Sequence, residues 1–271
     1  MPPLLSRQTQ AHAESRVFTT RRIPLLRPLA WLARGWADFM HCPGPGLLHG
    51  LAVFAFGLVL LTLAREQFWL LAGAFSGFLL VAPILATALY AVSRDLAQGL
   101  QPSLAGALRT WHPGHKRLVL FGSLLALAGT GWVLTSAALI TRFAPAPVSS
   151  PQDFLQTVVL AREGWLFEAW LALGALMAAP LFASSVVAIP LLLERGIGVF
   201  GAVLTSWRAV IANPAPLALW AALLLALTLL AMAPLLLGLV VVVPWLAHAS
   251  WHAYRDLVDA PPAARAGAAR N

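Results

Sequence analysis

His248 and His252 are four residues apart, a spacing that places two imidazoles on one face of a helix, where they could act together as metal or haem ligands. Such a site needs further ligands, and His49 and His112 are the candidates on the same predicted side of the chain. The competing reading rests on Trp251 and Tyr254 beside the pair, because aromatic residues gather where membrane spans meet water. Oxidases that bind haem and copper carry many histidines inside their spans. Only His49, His248 and His252 lie in or beside apolar runs here, which argues against a catalytic oxidase core.

Three charge pairs recur at the ends of apolar runs: Arg94-Asp95, Glu194-Arg195 and Arg255-Asp256. Each is expected either to pair locally and snorkel at a helix end, or to join the others in a cytoplasmic-face ring for docking or for anionic lipid. Glu168 is the one carboxylate inside an expected span, which makes it a candidate for proton or cation handling. It lies close to Gly164 and between Trp165 and Trp170, so it is expected to reach the outer interface. No Ser/His/Asp or Cys/His set, phosphate loop or paired-carboxylate set stands out, and no catalytic residue or cofactor is assigned. The single cysteine, Cys42, sits in a Pro- and Gly-rich turn and allows no intrachain disulfide.

The elements that must position these residues are hydrophobic to an unusual degree. Of the 271 residues 60% are hydrophobic and 10% charged, where a soluble domain carries roughly 25% charged residues. So few charges cannot cover a water-facing surface, and the solvent that fits is lipid. The net charge of +8 comes almost wholly from arginine, with Lys116 the only lysine. The basic residues fall in short stretches between apolar runs, which marks membrane flanks and not a nucleic-acid groove. No apolar core appears in the first 20 residues, so no signal peptide is expected.

A helix crosses the roughly 30 Å hydrocarbon core with about 20 apolar residues. Runs of that kind span Leu47 to Ala64, Phe68 to Val92, Leu118 to Ile140 and Trp165 to Leu193. Leu217 to Trp251 is uncharged over 35 residues, about 52 Å as one helix and too long for one crossing. The proline of Met232-Ala233-Pro234 disfavours helix in the residue before it and divides the stretch in two. Six spans in three hairpins result: a cytoplasmic segment 1–46 with an interfacial helix, a transmembrane domain 47–253, and a partly disordered cytoplasmic tail 254–271. With the N-terminus inside, only Arg65, Arg142 and Arg162 fall outside, so both termini are predicted to be cytoplasmic.

An internal resemblance supports the hairpins. Pro83 to Leu96 and Pro244 to Leu257 share Pro, Leu, Ala, Ala, Arg, Asp and Leu at constant offset, and Pro190 to Arg195 is a looser copy. Ser103 to Trp111 is similar to Val199 to Trp207. The prolines at 83, 180, 190, 234 and 244 could break spans around a substrate site or be ordinary membrane-helix prolines. Gly73, Gly77, Gly129, Gly131 and Gly174 allow close helix approach. Between spans, Pro28 opens an expected amphipathic helix with Leu29, Leu32, Trp36 and Phe39 on its apolar face. Ser150-Pro151-Gln152-Asp153 reads as a capping box ahead of an apolar face of Phe154, Leu155, Val158 and Val159.

Leu29 to Asp38, Gly77 to Arg94, Asn213-Pro214 and Pro244 to Asp256 together resemble a family of bacterial integral membrane proteins catalogued as domain of unknown function 2189. The resemblance runs from Leu29 to Val258, with Ala247 where the family pattern has Gly and Ser250 where it has Thr. It implies a bacterial inner-membrane location and no activity. The expected protein is an all-α, polytopic, non-enzymatic helical bundle that acts through helix packing and through contacts with the bilayer, anionic lipid or a membrane protein partner. The alternatives are a permease for a small or lipophilic solute, and a haem- or metal-binding accessory subunit.

Overall fold

The computed structural model describes residues 4–63, 86–103, 116–161 and 164–259. Eleven α-helices appear there: α1 (Leu4–Arg16), α2 (Arg27–His41), α3 (Pro43–Leu63), α4 (Thr87–Ala97), α5 (Lys116–Phe143), α6 (Pro151–Phe154), α7 (Leu166–Ser185), α8 (Ala188–Glu194), α9 (Val199–Ala212), α10 (Pro214–Met232) and α11 (Leu239–Leu257). Two-residue strands β1 (Thr19–Thr20) and β2 (Val258–Asp259) pair antiparallel, Thr19 opposite Asp259. The residues on either side of the bundle's helices therefore meet at one end of the molecule.

Among the described residues four helices are long and apolar enough to cross a membrane: Pro43–Thr62, Lys116–Phe143, Leu166–Glu194 and Pro214–Met232. These are the first, third, fourth and fifth expected spans. Residues 64–85, which take in 68–85 of the expected second span with Pro83, Gly73 and Gly77, lie outside the described residues, as do 104–115 with His112, then Arg162, and the tail from 260. The segment expected to be the sixth span forms α11, a 19-residue helix that is not among the four. Its last three turns hold His248, His252, Arg255 and Asp256, which lower its hydropathy; all but Arg255 are engaged by other helices.

The chain breaks where proline removes a donor. The long stretch from 214 to 257 ends its first helix at Met232 and resumes at Leu239, as Pro234 implied. Leu235 and Leu236 in the turn have φ of 51° and 68°, a region that β-carbon sterics disfavour. The fourth span bends between α7 and α8. Pro190 has no N–H to donate to the Val186 carbonyl, and at the bend the Val187 N–H donates to Ser206 Oγ on α9 (3.1 Å). At the other end, Ser150 and Asp153 form the expected capping box, and buried Val158 packs with Ile140, Val148 and Leu166.

The central packing is antiparallel. Running from α2 into α3, residues 27, 35, 46 and 50 meet residues 256, 249, 244 and 240 of α11 in turn. Two glycines permit this approach. A β-carbon on Gly35 would sit 2.5 Å from the Ala249 nitrogen, and one on Gly50 would overlap the Val240 carbonyl. The buried face of α2 differs from the expected one. Leu32 and Phe39 are buried, but Leu29 and Trp36 point outward, and Trp31 and Gly35 take their places. The helix is turned because its indole and its glycine, not its leucines, match the surface of α11. Trp31 then packs edge-on against Trp220 of α10 at 5.5 Å.

The repeated segments converge. Helices α4, α8 and α11, which end in the three related sequences, share one core built around Leu89, Tyr90, Leu191, Trp251 and Tyr254. Tyr90 and Trp251 occupy equivalent repeat positions, and their rings lie 6.5 Å apart. Away from this end the bundle is covered in exposed leucine, as at Leu127, Leu176 and Leu230, a surface that only hydrocarbon can wet. Gly35→Ala and Gly50→Ala are expected to cost roughly 1–3 kcal/mol each by overpacking. Gly131→Ala, which meets open space, should leave the thermal midpoint in detergent unchanged.

Candidate functional site

The polar residues of α11 form a stripe. His248, His252 and Asp256 follow one another at four-residue intervals, so they share one helix face. That face is turned toward α2 and α4. Asp256 receives three donors from α2: Arg27 Nε (2.6 Å), Arg34 Nη2 (2.6 Å) and Trp31 Nε1 (2.7 Å). Arginine offers a planar fork that matches a carboxylate, and α2 brings its donors round at positions 27, 31 and 34, on one side of the helix. Burial alone would push the Asp256 carboxyl up. The bonds from Arg27, Arg34 and Trp31 outweigh it and hold the group at about 2.

One turn and two turns back along α11 lies a second hub. Asp38 of α2 accepts from the Ser93 hydroxyl of α4 (2.7 Å) and contacts His252 Nε2 (2.8 Å), both at Oδ2. Ser93 Oγ also lies 2.7 Å from His248 Nδ1. Burial raises the Asp38 carboxyl, but the hydrogen bonds from His252 and Ser93 prevail and keep it below the usual carboxylate range. An ionised carboxylate only accepts, so the Ser93 proton is directed at Asp38 and His248 must supply Nδ1–H to the same hydroxyl. His248 is wholly buried, and its Nε2 has no hydrogen-bond partner among the described residues. Phe39 covers the imidazole with ring centres 6.5 Å apart.

The residues singled out by sequence are distributed between these hubs and the surface. Arg94 and Asp95 do pair with one another (3.0 Å). Glu194 instead accepts from the Tyr254 hydroxyl (2.7 Å), and the buried Nε of Arg195 has no partner among the described residues. Asp256 turns to α2 and leaves Arg255 exposed. The three segments thus come together, but their charges are tied by different partners and form no continuous ring. Glu168 is exposed in the first turn of α7. His248 and His252 share a face yet diverge onto Ser93 and Asp38, and His49 is only partly buried on α3. Among the described residues no group of three His, Cys, Asp or Glu side chains could hold a metal ion.

Sequence reasoning missed Asp38, Ser93, Arg27, Trp31 and Arg34. Two of its signals pointed that way: Asp38 closes the Leu29 to Asp38 segment, and Ser93 precedes Arg94 in the repeat.

Residues 70–194 match the model of the family DUF2189, described as a predicted integral membrane protein. The chain is an all-α integral membrane protein. No curated protein and no solved structure matches it. The matched segment is narrower than the resemblance read from sequence. It takes in α4 to α8, with Ser93, Arg94, Asp95, Glu168 and Glu194, and leaves α2 and α11 outside. One hub residue, Ser93, therefore lies within the family segment, and the others come from the flanks that enclose it.

The pH dependence follows from Asp256. Its carboxyl is depressed in the folded chain, so its contribution is full above the ordinary value of about 4 and is lost as pH falls through the folded value, here about 2. The thermal midpoint in detergent should fall over that window. Asp256→Asn should start lower at neutral pH and lose less on acidification.

Proposed function

We propose that the chain is a non-enzymatic, multi-pass protein of the bacterial inner membrane that acts through helix packing and through contacts with lipid and a membrane partner. The observation that carries this reading is the wiring of Ser93, His248 and Asp38. In a hydrolase the imidazole stands between hydroxyl and carboxylate, taking the proton of the one and being oriented by the other. Here the hydroxyl stands between carboxylate and imidazole. A serine whose proton already faces a weakly basic carboxylate is not activated, and at 1% exposure no substrate reaches it. The same arrangement makes good sense as a tie between α2, α4 and α11.

In this reading both termini lie on the cytoplasmic side, with 47–253 as the membrane domain between 1–46 and 254–271. Supporting this, β1 and β2 lie side by side, which requires an even number of crossings between them. The basic residues Arg21, Arg27, Arg34, Arg94 and Arg255 gather at that end, where anionic headgroups would meet them.

A permease for a lipophilic solute is the second reading, and one observation favours it. A cavity of about 490 Å³ opens among α3, α4, α5, α7, α10 and α11. Left empty and sealed, such a volume would cost on the order of 12 kcal/mol at ~24 cal/mol per Å³, as much as the whole stability of a domain. Its lining is almost entirely hydrocarbon, and neither Pro180 nor Pro244 contributes to it, so a polar solute does not suit it.

A fluorophosphonate probe applied to the purified protein should leave Ser93 unlabelled. A Ser93 adduct would overturn the non-enzymatic reading. Ser93→Ala should cost roughly 1–3 kcal/mol of stability, because it leaves Asp38 and His248 short of a partner. A membrane-impermeant label should reach cysteines placed at positions 2 and 270 only after the inner membrane is opened.

A further inference from the structure

We infer that the cavity is a lateral binding site for a single hydrocarbon chain of a bilayer lipid. This deepens the reading that the protein works through lipid contact, and rests on it. The lining runs along α10 from Ala221 to Met232 and along α11 from Leu239 to Ser250. Each stretch is about 16 Å of helix at 1.5 Å per residue, close to the half-thickness of a hydrocarbon core roughly 30 Å across. The cavity therefore has the length of one leaflet's acyl chain, and its 490 Å³ falls within the roughly 300–1,000 Å³ typical of small-molecule sites.

The mouth is lateral. Three large lining side chains are also well exposed: Phe56 of α3 at 48%, and Leu225 and Leu229 of α10 at 60% and 57%. Helices α3 and α10 both pack on α11, so the opening lies between them with α11 as its floor. Residues 43–62 and 214–232 are long and apolar enough to cross a membrane, and an opening on the outer faces of two such helices meets acyl chains, not water.

The end nearest the charged hubs decides which part of the lipid enters. Tyr90 and Ser250 line the cavity there. Ser250 donates to the Leu246 carbonyl of its own helix (2.7 Å), and Tyr90 is buried at 4% exposure. Among the described residues the other lining hydroxyls are Ser185 and Thr228, and none of the described lining side chains is charged. Among the described lining residues a phosphate headgroup meets no cationic donor, only scattered hydroxyls. The occupant is the apolar chain alone, inserted sideways, with its headgroup left at the membrane surface.

The test uses the full chain in phosphatidylcholine vesicles doped with a phospholipid that carries a photoactivatable diazirine near the end of one acyl chain. After irradiation, adducts are mapped by peptide mass spectrometry. Adducts are expected to concentrate on Leu224, Thr228 and Val243, which line the cavity, over Leu127 and Leu230, which face outward. Ala221→Phe and Ala178→Phe each place a ring in the cavity and should lower cavity labelling by about tenfold as the volume closes, with outward labelling and thermal midpoint retained. Labelling of the outer surface alone, or cavity labelling indifferent to both rings, would overturn the proposal. The first result would leave the lipid-contact reading standing, whereas a reactive Ser93 would remove the non-enzymatic reading whatever the adduct map shows. The wild-type map decides the matter even if both variants fail to fold.

Discussion

The carboxylate of Asp256 holds the structure's ends together. Three donors from α2 converge on it, and that grip fixes the rotation of α2 about its own axis. Once Trp31 and Arg34 face α11, Gly35 must face Ala249 and Asp38 must face His252. The remaining contacts along α3, at Gly46 and Gly50, follow from the same antiparallel register. A charge this poorly solvated would be a liability if unpaired. Its pairing turns an amphipathic N-terminal helix, which could have floated on a membrane surface, into a fixed layer of the bundle.

The polar ties stand at one end for a reason rooted in solvation. In the lipid-facing part of the bundle, helices gain nothing from burying leucine against leucine, because acyl chains are as apolar as the side chains. Specificity there rests on shape, as where Gly174 admits Trp132 and Gly57 faces Leu236. Near water, polar groups can be brought together and kept from random hydration. That is where Asp38, Ser93, His248, His252, Tyr254 and Glu194 are found. The same division explains why an apolar cavity can persist at membrane depth: bilayer hydrocarbon is always at hand to fill it.

The presence of serine, histidine and aspartate in one buried cluster is not in itself a catalytic statement. Order along the hydrogen-bond chain decides what the cluster can do. With hydroxyl between carboxylate and imidazole, the Ser93 proton is committed in the ground state, and the His248 Nε2 lone pair has no partner among the described residues. The segment that matches the family model, 70–194, contributes the hydroxyl. The flanking helices contribute everything that orients it.

The amino-acid sequence by itself determined the solvent, the helical class, the run of apolar segments, the break after Met232 and the capping box at Ser150. All of these depend on composition or on residues within a few positions of each other, where hydropathy, proline geometry and side-chain length act locally. The i, i+4 spacing of His248 and His252 was legible too, and so was the kinship of the segments ending at Leu96 and Leu257. What only the tertiary structure decided was the partner of each polar group. Asp256 stands next to Arg255 in the chain yet bonds Arg34, 222 positions away, and Ser93 reaches Asp38 across 55. Leu29 and Trp36 looked like the buried face of α2 because they are apolar, but in lipid an apolar side chain has no need to be inside. The groups that must be inside are the charged and hydrogen-bonding ones, and where those meet is set by packing between helices that no local pattern records.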